Sequence, residues 1–287
     1  MIKLKKVWCI IKSEYIKSLL DARNIVILAM YIVMYDNILK EFIKLSRKMK
    51  EPIGIVEPFI ALSGTGLVVI MLPLVFLVLA SDFPKINGNV RFYIMRVGKF
   101  KWLMGQLGYA VLMIVTYIGI TFAASCILAA PYSYGGNSWS NVVTKYYIAF
   151  PEEADSMANR LIHETLYNQT TPYMALLHSV LLYGLFMLLI CVILLVAFVY
   201  AGRKNGLYAA SLFVLAGGVF SVLGNKTMWL FPAAHTMVWK HYNLILRDRI
   251  MPIQASYLYF GILIVIGLLL VCTGIKNKDF DEVENGD

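Results

Sequence analysis

Long apolar runs alternate with short polar connections along this chain. About 20 consecutive apolar residues are enough to cross a bilayer as a helix. A membrane β-barrel would instead show short segments of alternating hydrophobicity. The pattern therefore predicts an all-α membrane protein with six transmembrane helices, at 24–39, 59–80, 102–130, 173–201, 207–223 and 255–275. Pro73 is expected to kink the second of these helices.

The polar segments on either side of the runs suggest an orientation. With both termini in the cytoplasm, the cytoplasmic segments carry 15 Lys and Arg residues and the external segments carry 11. Basic residues favour the cytoplasmic side, so we expect both termini there. The predicted transmembrane domain then covers 24–275 and is followed by an acidic cytoplasmic tail, 276–287. The external loops would be 40–58, which is basic, 131–172, where 151–168 predicts a surface helix, and 224–254.

Residues 1–23 have the pattern of a basic amphipathic helix. Apolar residues recur at helical spacing on one face, and lysines occupy the flanks and the back. A helix of this kind lies in the membrane interface. The apolar positions are Leu4, Val7, Trp8, Ile11, Tyr15 and Leu19.

The connection between the second and third runs, 81–101, is short and strongly basic. It contains five Lys/Arg and one Asp. The sequence predicts a turn at 87–89 and then a two-turn helix at 90–97, ended by Gly98. A compact basic helix on the cytoplasmic side is expected to dock against another protein.

Composition agrees with a membrane protein and narrows its function. The chain is 60% hydrophobic and 15% charged, whereas a soluble domain is about 25% charged. The net charge of +9 follows mostly from basic cytoplasmic segments, so we expect no nucleic-acid partner. The four cysteines are spaced like no metal site and are interpreted as apolar packing residues.

Sequence motifs for chemistry are largely missing. LGNKT at 223–227 lacks the spacing of a phosphate-binding loop, and HETLY at 163–167 lacks the second histidine of a zinc protease. No cofactor is therefore expected in this chain. Among Asp, Glu, Lys and Arg, Asp36 is the one residue that falls in the six runs, and it is expected to reach the headgroups. Ion-coupled transporters usually need ionisable groups near mid-membrane, so energy for any transport would come from outside the chain.

Two segments resemble the membrane-spanning subunit of a type-two ABC exporter. LPLVFLVLASDFPKINGNVRFYIMRVGKFKWLMGQL resembles that family's second span, basic loop and third span. FPAAHTMVWKHY at 231–242 resembles the external re-entrant segment before its last span. The resemblance covers nearly the whole chain by architecture. It implies that 1–23 is an elbow helix and that 81–101 holds a coupling helix that contacts the ATPase. The positions matching the coupling loop are Asp82, Gly88, Arg91, Arg96 and Lys99.

The resemblance implies a transport subunit rather than an enzyme. ATP hydrolysis would take place on a separate P-loop ATPase, and a second membrane subunit, identical or not, would complete the exporter. The expected location is a bacterial plasma membrane. Two alternatives stay open: a membrane-embedded enzyme or sensor without a transport role, and an ion-coupled secondary transporter.

Aromatic residues in the apolar runs suggest a cargo class. The runs lack the polar lining that a hydrophilic solute needs, so we expect an amphipathic cargo such as a peptide or a lipid-like molecule. Helix packing is the alternative role for each aromatic residue. The candidates for a substrate path are Tyr109, Tyr117, Phe122, Tyr183 and Phe186, with Trp102 beside them.

Overall fold

The chain folds almost entirely into helices. The computed structural model describes residues 2–86, 90–153, 161–224, 226–243 and 249–278. Within these residues, strand-type backbone pairing is limited to two strands of two residues each and one isolated bridge. The predicted all-α class is confirmed.

Four helices in the described part of the chain are long and apolar enough to cross a membrane. These are α7 (Lys99–Ala129), α11 (Pro172–Tyr200), α12 (Arg203–Leu223) and α14 (Ile253–Gly274). All four coincide with predicted spans within a few residues. They are compatible with a multi-pass membrane protein, while the count of six spans stays a prediction.

The second predicted span is sharply broken. It consists of α4 (Glu57–Gly64) and α5 (Gly66–Leu79), which meet at about 88°. The break lies at Thr65, whose extended backbone separates the helices. Pro73 instead lies inside α5, so the bend expected at Pro73 is found eight residues earlier.

The first predicted span continues into the predicted loop. Helix α2 (Ile25–Met34) passes through a π-helical turn at Tyr35–Leu39 into α3 (Lys40–Met49). The charged segment after residue 40 is helical because its apolar residues recur on one face, where Phe42 and Leu45 are buried.

Helix α1 (Ile2–Leu19) lies against α7. Glycines on α7 allow the close approach: a Cβ atom at Gly108 would lie 2.4 Å from Cδ1 of Ile11, and one at Gly105 2.8 Å from Cγ2 of Ile10. Trp8 and Leu19, predicted on the apolar face, are both more than half exposed. Helix α1 therefore contacts the bundle through a strip that includes Ile10, and its elbow role stays a prediction.

The long helices define two ends of the bundle. At the first, which we call the terminal end, Lys99 donates hydrogen bonds to the carbonyls of Lys276 and Lys278, and Tyr200 donates to Leu270. At the opposite end, which we call the loop end, Trp239 donates to the carbonyl of Gly64.

Segments far apart in sequence form a joint structure at the loop end. Strand β1 (Ile53–Gly54) pairs in parallel with β2 (Ser133–Tyr134). Lys48 lies 2.6 Å from a carboxylate oxygen of Glu153. The basic segment 40–58 therefore packs against the predicted loop 131–172, which accounts for part of its charge.

Three short helices complete this joint structure, and a fourth precedes the last span. They are α8 (Asn141–Thr144), α9 (Tyr146–Ala149), α10 (Glu164–Tyr167) and α13 (Pro232–Thr236). Of the surface helix predicted at 151–168, residues 154–160 fall outside the described residues, while Pro151–Glu153 forms a 3-10 turn and Glu164–Tyr167 forms α10.

Candidate functional site

An ionic cluster at the terminal end joins the start of α2 to the loop after α5. The Asp82 carboxylate lies 3.0 Å from the guanidinium of Arg23 and 2.8 Å from the ammonium of Lys85. Arg23 also donates to the hydroxyl of Ser81. Asp21 lies 3.7 Å from Arg23 and 3.9 Å from Lys85, so two acidic and two basic groups compensate each other.

Lys85 anchors this cluster to α7. Its side chain is only 8% exposed, and its backbone N–H donates to the side-chain carbonyl of Gln106. Its ammonium lies 5.9 Å from the ring centre of Tyr109, within reach of a cation–π attraction. Breaking a buried charged contact is expensive, so the loop start has a fixed position beneath the helix that follows.

The helix predicted in this loop is confirmed. It is α6 (Val90–Val97), and Gly98 follows it with φ +89°. Arg96 is exposed, and Met95 and Phe100 are 81% and 59% exposed. An exposed apolar residue such as Met95 beside a basic residue, on a helix outside the four long ones, is typical of an interface.

The coupling-loop positions occupy different environments. Asp82 belongs to the ionic cluster, whereas Lys99 donates to the backbone of 276–278. Arg91 lies on α6, and Gly88 falls outside the described residues. Of the predicted residues, Arg96 is the one whose described side chain is exposed on α6.

The aromatic candidates for a substrate path lie in the interior of the chain. Phe122 is half-buried and packs edge-on against Phe59. The other four aromatic candidates, and Trp102 beside them, are at most 3% exposed. In a single chain these five rings are therefore packed among neighbouring helices, and their role in a substrate path stays a prediction. The buried set is Trp102, Tyr109, Tyr117, Tyr183 and Phe186.

Two of these tyrosines and Trp239 satisfy backbone groups around the bent helix pair. The end of α4 leaves carbonyls without helical partners. Tyr183 donates to the carbonyl of Ser63 at 3.3 Å, and the indole N–H of Trp239 donates to that of Gly64 at 3.0 Å. Tyr117 donates to the carbonyl of Leu72 on α5 at 2.9 Å. Such satisfaction is what allows irregular backbone at membrane depth.

A cavity of about 540 Å³ opens between α1, α2, α5 and α7. This volume is in the range of ligand-binding pockets. Its wall is mostly apolar, including Ile27 and Met113, and polar groups such as Asp21 and Asn24 also line it. Tyr117 is the one predicted path residue among its lining residues.

The sequence pattern did not indicate the residues that complete these sites. Arg23 and Lys85 are 62 residues apart, and no spacing rule connects them. The same is true of His235, His241 and Ser256, which meet in the interior at the loop end. Among the described residues, no group of three or more His, Cys, Asp or Glu side chains could hold a metal ion.

Comparison with known proteins does not assign the chain. The sequence matches no family profile, no curated protein and no solved structure.

Proposed function

We propose that this chain is the transmembrane subunit of an ATP-driven exporter that works with a separate P-loop ATPase subunit. The observation that carries the proposal is α6, a short helix outside the spans that exposes Met95 and Arg96 at the terminal end. The ionic cluster of Asp21, Arg23, Asp82 and Lys85 supports it, because a docking helix can transmit force only if its base is held firmly.

The loop end adds a second supporting feature. The segment 226–243 turns through α13 and two 3-10 turns before α14 begins. Its Trp239 contacts the break between α4 and α5. A movement of α5 transmitted from the terminal end would therefore reach this segment directly. Rigid-body rocking of packed helices of this kind is a known way of switching between states.

The proposed cargo is amphipathic, a peptide or a lipid-like molecule. The mostly apolar cavity between α1 and α7, with Asp21 and Asn24 in its lining, supports this class. The exposed apolar faces of α2 and α14 are available to lipid or to a second membrane subunit. The proposed assembly contains two membrane subunits and two ATPase subunits.

Co-purification tests the proposal. The chain is extracted from its native membrane in a mild detergent, and any co-purifying protein is identified by mass spectrometry. We expect a P-loop ATPase in near-stoichiometric amount. Arg91→Glu with Arg96→Glu should lower its yield about tenfold, since charge reversal at an interface weakens association.

The matched control reverses Arg203 and Lys204, the basic pair at the start of α12, at the same end of the bundle. This control should retain the ATPase. The proposal fails if the unaltered chain brings no P-loop ATPase, or if both double variants lose it equally.

A further inference from the structure

Three polar side chains meet in the interior at the loop end, away from the exporter features above. His235, His241 and Ser256 are each 0% exposed. The hydroxyl oxygen of Ser256 lies 2.8 Å from Nδ1 of His235 and 2.8 Å from Nε2 of His241. The serine is in the first turn of α14, and the histidines belong to the segment before it.

The outer nitrogens of both rings face backbone carbonyls. Nε2 of His235 lies 2.8 Å from the carbonyl oxygen of Trp229, and Nδ1 of His241 lies 3.2 Å from that of Met237. A carbonyl oxygen can only accept, so an N–H on the outer side of each ring is what pairs both carbonyls. A neutral imidazole has one N–H, and its inner nitrogen is then a bare acceptor.

The neutral side chains supply one hydrogen too few for the hydrogen-bonding contacts of this group. The chain of contacts runs from Trp229 through His235, Ser256 and His241 to Met237 and contains four hydrogen-bonding contacts. Two neutral rings and one hydroxyl supply three hydrogens. Reversing the tautomer of either ring moves the gap to another contact and does not fill it. One additional proton fills all four contacts.

The surroundings determine when a proton can enter. The ring of Trp229 meets both imidazoles edge-on at about 5 Å, and Tyr259 stacks on His235 at 4.1 Å. Burial lowers the pKa of His235, and it lowers the pKa of His241 to about 4. Both imidazole rings are therefore neutral at pH 7, and the pair accepts a proton only in acid.

The titratable neighbours from the surrounding elements, within the described residues, include no carboxylate. Lys240 directs its ammonium to the carbonyl of Ser221, and His178 bonds to Tyr257. These neighbours are Tyr257 and Tyr259 on α14, His178 on α11, Lys240 beside His241, and Arg249 beyond it. A second positive charge would thus meet repulsion without compensation.

We infer that His235, Ser256 and His241 form a buried binding site for a single proton, which the two rings share through the serine hydroxyl. The site takes up one proton and excludes a second. The site links α14 to the segment 226–243. Its charge state therefore changes the hydrogen bonds that hold these two elements together. The inference does not depend on the transport proposal.

Nuclear magnetic resonance of the full-length protein in detergent tests the site directly. The chain contains only four histidines, so selective ¹⁵N-histidine labelling gives four ring systems that single His→Gln variants assign. During acidification from pH 8 to 3, the rings of His235 and His241 should change together with one midpoint and gain one proton in total. Separate midpoints with a full proton on each ring would overturn the inference, as would no protonation of either ring before unfolding.

Variants of the chain of contacts sharpen the test. His241→Gln supplies an amide N–H to Ser256, so the hydrogen count closes without an added proton. The proton affinity of His235 should then fall about tenfold, as expected for losing one hydrogen bond to a charged group. Ser256→Ala removes the link and should separate the two titrations. His163→Gln is the control, because that ring stacks on Trp239 outside the chain of contacts and should leave the shared midpoint unchanged.

An unchanged His235 midpoint in His241→Gln would contradict the sharing of one proton. If Ser256→Ala does not fold, the His241→Gln comparison still decides the question, because it retains a hydrogen-bonding side chain at that position.

Discussion

Glu57 shows how one buried side chain can organise the loop end. It is 0% exposed, and its carboxyl oxygens accept hydrogen bonds from the backbone N–H of Gly54, the backbone N–H of Ser140 and the Ser140 hydroxyl, at 2.6–2.9 Å. One residue at the start of α4 thereby holds β1 and the start of α8 in place. A buried donor left without its acceptor costs about 1–3 kcal/mol.

Glu57→Ala should therefore lower the free energy of unfolding by about 2–5 kcal/mol, since it leaves at least two buried N–H groups without partners. Thermal unfolding in detergent, followed by labelling of the buried thiol of Cys191, measures the loss. Glu41→Ala is the control, because within the described residues the ion pair of Glu41 is a 3.6 Å contact with the exposed Lys44. Equal stability of the two variants would show that the Glu57 contacts contribute nothing.

His163 gives stability a dependence on pH. Burial, with a smaller contribution from Lys240, lowers its pKa from 6.5 to about 4. As the pH falls from 6.5 to 4, the unfolded chain binds this proton before the folded chain does, so stability is lost in that window. His163→Gln should make the decline shallower, measured as melting temperature against pH. An unchanged slope would contradict this assignment.

At the level of elements, the apolar runs were sufficient to locate the long helices. Runs at 173–201 and 255–275 correspond to α11 and α14 because an uninterrupted apolar run has one stable form in a bilayer. The short helix α6 and the glycine after it were also predicted, from the positions of Gly98 and the turn residues.

The break at Thr65 could not be predicted in the same way. Hydropathy measures how apolar a run is, and it carries no information on whether the helix axis changes direction. The residues at the break, Gly64–Thr65–Gly66, are also common in spanning helices, so they give no signal of their own. The break is set by tertiary partners, including Trp239 from 175 residues away. The ionic cluster and the histidine pair escaped prediction for the same reason.

Glycines determine how closely the elements approach. Gly108→Leu should displace α1 from α7, since even a Cβ atom there would lie 2.4 Å from Ile11. Ile10→Cys and Gly105→Cys should cross-link under mild oxidation only while α1 is seated, because a Cβ atom at position 105 would lie 3.1 Å from the Cβ atom of Ile10. Gly119→Leu is the control on the same helix, because a Cβ atom there meets nothing within 4 Å. Undiminished cross-linking in Gly108→Leu would refute the predicted displacement.

At the scale of the whole molecule, the long helices separate two chemically different ends. The terminal end carries basic residues beyond those of its ionic cluster, among them Arg96, Lys99, Arg203 and Lys276, whereas in the joint structure at the loop end the basic Lys48 pairs with Glu153. If the helices cross a bilayer, this asymmetry favours a cytoplasmic terminal end.

Single cysteines in a cysteine-free background test this arrangement in intact cells. Lys204 and Lys276 are exposed at the terminal end, and Asn137 is exposed in the segment that joins the loop end. A membrane-impermeant thiol reagent should label a cysteine at 137 from outside, and it should label cysteines at 204 and 276 only after the membrane is opened. The reverse pattern would invert the orientation while keeping the bundle. Labelling of 137 and 204 from the same side would contradict the crossing itself, because one membrane-length helix, α11, lies between these two positions in the described part of the chain.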